Sequence, residues 1–406
     1  VVNILFVDDE PLLLEGLRNA LRRQRHAWNM RFVTSGAGAL EALAAEPFAI
    51  VVSDMRMPGM DGAELLTQVR DRWPHVARLI LSGQADQDAV ERALPVTQQF
   101  LAKPCDSEML TRVLTEIIET TVSRPGGQAE EKARALVTKV PNPPVLQAHF
   151  DAVEAVLGRR GVSHDDLRGI MEGSPVMTMR VLRLVNSKWF GAAAPIVSVA
   201  DALPRLGPEL LRGVVLSVHT TAPGEVGDEV MYDMRQLARH VRLLSRLMRR
   251  LLAGHPDLEL GATAAILHDM GRVVVAMAAP ADGRQVDYVS RQGGQARQEI
   301  EIEITGVRHA EVGAAMLRSW NLPASLVELV RGHALPALAG PEAPPDVLAP
   351  LHVAHARLEA AGLGSGGTPH TVDLGYLERH GLTGQLAGWH AIMDEEIEAA
   401  LDPAAA

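Results

Sequence analysis

Through the first 120 residues, short unbroken apolar runs alternate with longer stretches in which apolar positions recur every three to four residues. VNILFVDD, MRFVTS, FAIVVSDM, ARLILSG and QQFLAKP each read as a strand running into a polar turn. These runs lack polar alternation, which fits strands covered on both faces. PLLLEGLRNALRRQ and DGAELLTQVRDRW, between them, carry the period of amphipathic helices. Five strands alternating with helices predict a doubly wound parallel sheet, an α/β domain over residues 1–120.

The pattern then changes. DSEMLTRVLTEIIETTVSR carries a helical stripe of Met109, Leu110, Val113, Leu114, Ile117 and Ile118, and PGG at 125–127 breaks it. A linker of helix or loop is expected over 121–140. Beyond it helix follows helix: DDLRGIMEG, MTMRVLRLVNSKWF, VSVADALPRLG, PELLRGVVLSVHTTA and YDMRQLARHVRLLSRLMRRLLAG. The expectation is an all-α domain over 141–340 and a C-terminal helical extension over 341–406.

Composition narrows the class. A chain of 406 residues exceeds one ordinary core. With 47% hydrophobic and 22% charged residues it reads as a soluble globular protein. Aromatics make up only 3%, so Leu, Val, Ala and Met must fill the cores, and Met171, Met177 and Met179 are read as core filling. The net charge is −11 and both halves are acidic, which argues against nucleic acid or a membrane as partner. RLMRR at 246–250 is read as a solvated basic face. A lone cysteine, Cys105, allows no internal disulfide; it fits a reducing compartment and is assigned no role. Apolar runs such as VVVAMAAPA at 273–281 read as too short for a bilayer, and no charged-then-apolar leader opens the chain. A cytoplasmic location is expected.

Candidate chemistry lies at the strand ends. Asp8 and Asp9 close the first strand, Asp54 the third, Ser82 the fourth and Lys103 the fifth. In a parallel sheet these positions converge at the carboxyl edge, where ligands bind. Clustered carboxylates repel, and a hard cation such as Mg²⁺ relieves the repulsion through oxygen ligands. A carboxylate can also attack phosphorus, with Lys103 sharing the phosphoryl charge and the Ser82 hydroxyl bonding an oxygen.

VDDEP, SDMRMPGMDG, LSG and LAKP, in this order and spacing, closely resemble the receiver domain of two-component response regulators. The resemblance covers about residues 1–120. It implies that Asp54 accepts a phosphoryl group from a sensor histidine kinase or phosphotransfer protein. It implies that Asp8, Asp9, Asp54 and the backbone carbonyl of Arg56 hold Mg²⁺, and that Ser82 and Phe100 form a switch pair. Receivers often pair, so a phosphorylation-dependent homodimer is expected. One departure is ALPVTQQF at 93–100, where the family usually has a small Gly-containing turn.

In the helical half the candidate ligands are His240, His268, Asp269, His309, His333 and His355. A helical bundle can gather such residues in its core. The adjacent doublet in AILHDMGRVVV could serve one metal, or its Asp could bridge two. The plain alternative stays open. His268 and Asp269 could occupy the last turn of a helix with Gly271 as a left-handed cap. His309 and His333 could lie at helix ends, and His240 and His355 could be half-buried and hydrogen-bonded.

VPNPPVLQAHFDAVEAVL, SPVMTMRVLRLVNS, ILHDMGR and HAEVGAAMLRSWNLP resemble the HDOD output domain of bacterial signalling proteins, a relative of the HD phosphohydrolases. His240, His268, Asp269, His309 and His333 match metal-binding positions of two-metal HD phosphodiesterases. The late Asp of those enzymes is replaced: LAPLHVAHARL offers His355 or its neighbour Ala354. The GYP-containing stretch is missing as well, since RGHALPALAG stands in its place. A nitrogen-rich set of this kind would suit a transition metal, Fe, Zn, Mn or Ni, rather than Mg²⁺. The resemblance implies a response regulator whose largely non-catalytic HDOD half signals through a downstream protein. The alternative is a receiver-gated, metal-dependent phosphodiesterase acting on cyclic nucleotides or dinucleotides.

Overall fold

The structure, a computed structural model, describes residues 2–83, 92–93, 96–97, 99–103, 105, 107–118, 127–140, 143–159, 164–187, 190, 194–216, 228–364 and 369–401. Five strands, β1 (Val2–Val7), β2 (Trp28–Val33), β3 (Ile50–Asp54), β4 (Ala77–Gly83) and β5 (Gln99–Lys103), form one sheet in the order β2-β1-β3-β4-β5. Every neighbouring pair is parallel. Helices α1 (Pro11–Ala20), α2 (Gly36–Ala45), α3 (Gly62–Arg72) and α4 (Ser107–Ile117) cover it.

Alternate strand residues feed the two faces, which explains the unbroken apolar runs. Ile4, Phe6, Val52 and Leu79 pack with Leu14 of α1 and Leu110 and Leu114 of α4. Leu5, Val7, Val51 and Ile80 pack with Leu43 of α2 and Leu65 and Leu66 of α3. Asp61 caps α3 by accepting a hydrogen bond from the Glu64 N–H at 2.8 Å. The next residue, Gly62, starts that helix hard against β3, because a Cβ there would stand 2.3 Å from the Asp54 carbonyl oxygen. Residues 84–91 lie outside the described residues. Of ALPVTQQF, Thr97 donates to the Arg78 carbonyl at 2.9 Å and Arg78 Nε donates to the Val96 carbonyl at 2.6 Å.

Among the described residues of the second half the regular elements are all helices. It comprises α5 (Gln128–Lys139), α6 (Gln147–Leu157), α7 (His164–Glu172), α8 (Pro175–Val185), α9 (Val199–Leu216) and α10 (Asp228–Leu251). There follow α11 (Leu258–Leu267), α12 (Met270–Ala278), α13 (Pro280–Gln292), α14 (Arg297–Thr305) and α15 (His309–Ser319). The chain closes with α16 (Ala324–Gly332), α17 (Pro345–Ala360), α18 (Leu374–Arg379) and α19 (Leu386–Leu401). Within the expected linker, α5 packs on α12 and α15 and so sits with the helical half. VSVADALPRLG and PELLRG form one element bent at Gly207, whose φ is 68°.

Two expectations are corrected. Gly271 is not a left-handed cap: it lies inside α12, and a Cβ there would come within 1.8 Å of the His309 carbonyl oxygen. Its small size lets α12 approach α15. Second, Leu258–Ala278 is long and apolar enough to cross a bilayer by length and composition, at mean hydropathy 1.3. It is 83% buried, as befits core helices that are apolar all round. The basic face expected of RLMRR is solvated, with the Arg246 side chain 59% exposed, and it also carries ion pairs. Arg246 and Arg250 pair with Glu395 and Glu396 of α19, while Arg249 pairs with Glu172 and Glu259.

Candidate functional site

At the carboxyl edge of the sheet, Lys103 at the end of β5 reaches back across two strands. Its Nζ donates to Asp8 Oδ2 at 2.9 Å and pairs closely with Asp54. The Arg56 N–H donates to Asp54 Oδ2 at 2.9 Å, and the Glu10 N–H to Asp8 Oδ1 at 2.9 Å. Burial raises the Asp54 carboxyl above its ordinary value, against the pull of Lys103. Burial opposes the Lys103 charge, yet Asp54 and Asp8 hold the amine above its usual value. Ser82 and Phe100 are both buried in the neighbouring strands β4 and β5. Asp9 is only partly buried, and Asp8, Asp9 and Asp54 do not gather within 4.8 Å of one another. The donors here are all oxygen, which fits a hard cation.

The helical half brings its candidates together from five places in the chain. His240 comes from α10, His268 and Asp269 from the break between α11 and α12, His309 from the start of α15, His333 from the end of α16 and His355 from α17. Two sets form around a shared carboxylate: His240, His268, Asp269 and His355, and Asp269, His309 and His333. His240 Nε2 lies 3.3 Å from His268 Nε2, and His309 Nε2 lies 3.4 Å from His333 Nε2. Asp269 Oδ2 is 3.4 Å from His268 Nε2, while Oδ1 is 3.1 Å from His309 Nε2 and 3.7 Å from His333 Nε2. His240 and His355 are 2% and 3% exposed, so the half-buried expectation is wrong for both.

The outward-facing nitrogens decide what the inner ones can do. Nδ1 of His268 donates to the Ala265 carbonyl at 2.8 Å, that of His333 to Val330 at 2.7 Å and that of His240 to Leu363 at 3.0 Å. A carbonyl can only accept, so each Nδ1 carries a proton, and a ring in its neutral form is left with an Nε2 lone pair aimed inward. His240 and His268 thus face each other through Nε2 atoms that are both free for a metal when the rings are neutral. Burial, and then the neighbouring His268, push His240 down to about 3, so this ring keeps its Nε2 lone pair. Both ring nitrogens of the buried His355 lack a hydrogen bond. Burial would raise Asp269, but His268 and His309 hold it well below the carboxylate range. Converging lone pairs, an ionised carboxylate and a dry surround together make a donor set for a metal ion. The 3.3 Å between the first pair of nitrogens suits two imidazoles at about 2.0–2.1 Å from one tetrahedral ion.

Sequence reasoning missed the supporting residues. Glu301, in α14, places both carboxylate oxygens against His309 Nδ1, at 2.7 and 2.8 Å. Nδ1 of His352 donates to the carbonyl of His333 at 2.9 Å, and its Nε2 accepts from the Asp373 N–H at 2.9 Å. His370 packs at 5.0 Å from the ring of His355. Nothing in the spacing marks these residues, because their role depends on burial beside a centre assembled from distant helices. Beside His309 opens a small cleft walled by Val273 and Val286 and by Arg272, Asp287 and Arg297.

Comparison with known proteins matches residues 4–115 to the response regulator receiver domain family and residues 144–336 to the HDOD domain family. The response regulator protein FleR of Pseudomonas aeruginosa is 37% identical over 111 residues, 26% of this chain and 22% of that protein. An uncharacterized protein of Treponema pallidum is 23% identical over 209 residues, 51% of this chain and 40% of that protein. The chain thus spans between about a fifth and two fifths of the length of these curated relatives. Among solved structures, a virulence factor of Campylobacter jejuni aligns with TM-score 0.52 at 15% identity, covering 68% of this chain and 99% of that one. That likeness is one of fold. The sheet with its acidic edge and the helical half with its histidine core thus belong to two known families: the chain carries a response regulator receiver domain at its N-terminus and an HDOD domain C-terminal to it.

Proposed function

We propose that this is a cytoplasmic response regulator in which phosphorylation of Asp54 controls output from an HDOD domain built around a dinuclear metal centre. In the receiver, an Asp54 oxygen attacks the phosphorus of a phosphohistidine on a sensor kinase or phosphotransfer protein. A P–O bond forms, the P–N bond breaks, and the imidazole leaves. Lys103, already beside Asp54, balances the added charge, and Ser82 and Phe100 reorient with it. Mg²⁺, held by Asp8, Asp9, Asp54 and the carbonyl of Arg56, would supply further neutralisation. The domain boundaries proposed are 1–120 for the receiver, 121–140 for the linker and 141–340 for the HDOD domain, with 341–406 as its extension.

One observation carries the metal reading: buried imidazoles with Nδ1 committed as donor direct their Nε2 atoms at one another around Asp269. A first-row transition metal there would be held by the imidazole nitrogens and the Asp269 carboxylate and would act as a Lewis acid toward an anionic ligand. Output passes to a downstream protein, and the receiver is expected to pair when phosphorylated. A second reading, phosphodiester hydrolysis, draws support from the cleft that opens on His309.

Elemental analysis of the purified full chain, with a cyclic-dinucleotide hydrolysis assay in the presence and absence of beryllium fluoride, tests both readings. Two transition-metal ions per chain without turnover support a non-catalytic centre, and turnover gated by beryllium fluoride supports the enzyme. A chain that takes up no transition metal removes the centre altogether. Labelled acetyl phosphate should mark wild type and leave Asp54→Asn unlabelled.

A further inference from the structure

We propose that Glu301 is the positioning residue that completes the second half of the metal centre, fixing His309 so that His309 and His333 can share an ion with Asp269. This rests on the dinuclear reading and adds to it a carboxylate outside the ligand set.

The need for Glu301 follows from where His309 sits in its helix. His268 and His333 each follow the last turn of a helix, and each Nδ1 leans on a carbonyl three residues back, Ala265 or Val330. His309 is the first residue of α15, so no helical turn precedes it to offer a carbonyl. The acceptor has to come from another element. Glu301 supplies it from α14, at 2.7 and 2.8 Å from Nδ1. The same carboxylate accepts from the His309 N–H at 3.0 Å, so it also satisfies one of the donors exposed where the helix begins.

Glu301 is itself held. Arg297 Nε donates to Glu301 Oε1 at 3.0 Å, and Arg297 Nη2 pairs with Asp287 Oδ1 at 2.7 Å. A line of groups, buried beyond the partly exposed Asp287, therefore runs Asp287, Arg297, Glu301, His309, Asp269 from the cleft to the centre. The two halves differ in donors: the first has three imidazoles and a carboxylate, the second only two imidazoles and the other side of that carboxylate. A carboxylate behind a ligating imidazole fixes its tautomer and raises its basicity. The donor-poor half is the one that has it.

The test titrates metal-free full-length protein with Zn²⁺ by calorimetry and counts bound ions after dialysis. Wild type should bind two. Glu301→Gln should keep one with unchanged affinity and bind the second about 10–100-fold more weakly. His309→Gln should lose the same single ion, and the double variant should be no worse than His309→Gln alone, because both act on one half. Glu301→Gln that binds both ions as wild type does, or weakens both equally, overturns the proposal; equal weakening would mean a merely structural role. Wild type that binds no Zn²⁺ overturns the dinuclear reading instead. Should Glu301→Gln not fold, ¹⁵N imidazole spectra of Zn²⁺-loaded wild type decide: His309 must carry its proton on Nδ1, and a proton on Nε2 overturns the assignment.

Discussion

A hydrogen in place of a side chain at Gly271 governs how near α12 can come to α15. Gly271→Ala would force a methyl group onto the His309 carbonyl, where 1.8 Å is available. The expected result is a loss of about 1–3 kcal/mol in stability together with a weakened second ion. Urea denaturation and metal content check it, and a variant normal in both would show that the approach is not required. Individual residues were unevenly legible. Asp8, Asp54 and Lys103 stand at strand ends, and parallel topology alone brings strand ends together. His268 and Asp269 are visible as a doublet, but the same Gly-containing stretch also reads as a helix stop, and only the packing against His309 separates the two. Glu301 lies in EIEIE, where alternating acids and isoleucines read as an ordinary amphipathic surface. Its burial is a tertiary fact.

At the scale of elements, α6 and α10 meet through His149 and Arg242, whose Nη2 donates to His149 Nε2 at 3.4 Å. Burial, and then the Arg242 charge, lower His149 from 6.5 to about 4. The fold holds this ring neutral, whereas the unfolded chain protonates it below 6.5. Its contribution is therefore intact above pH 6.5 and lost progressively as pH falls toward 4. Denaturation of metal-free protein at pH 7.5 and 5 should show the loss, and His149→Gln should flatten the slope. An unchanged slope in the variant would assign the acid sensitivity to other groups. The strands were readable because both faces are covered, giving apolar runs that no surface strand shows. The break between α11 and α12 was not, since the sequence stays apolar on both sides of His268.

For the whole molecule, the receiver followed by a helical domain was legible from the change of period near residue 120. What stayed hidden was how far α5 belongs to the second half, because its polar composition resembles a linker and only its packing on α12 and α15 places it. Metal linkage acts at this scale. An ion that binds only the folded helical half adds about 2.7 kcal/mol at a hundredfold excess over its Kd. Chelation should therefore lower the melting temperature of the full chain and re-addition of Zn²⁺ should restore it. A melting temperature indifferent to chelator would show that no ion is coupled to folding.

The HDOD match ends at residue 336, yet the centre does not. His355 completes one set from α17, and His352 ties the carbonyl of His333 to the backbone at Asp373. The C-terminal extension is thus a structural wall of the histidine core rather than an appendage. A fragment trimmed to the recognised domain would open that core to water and leave His355 out of it, so the smallest portable unit of this output domain is expected to reach past residue 336.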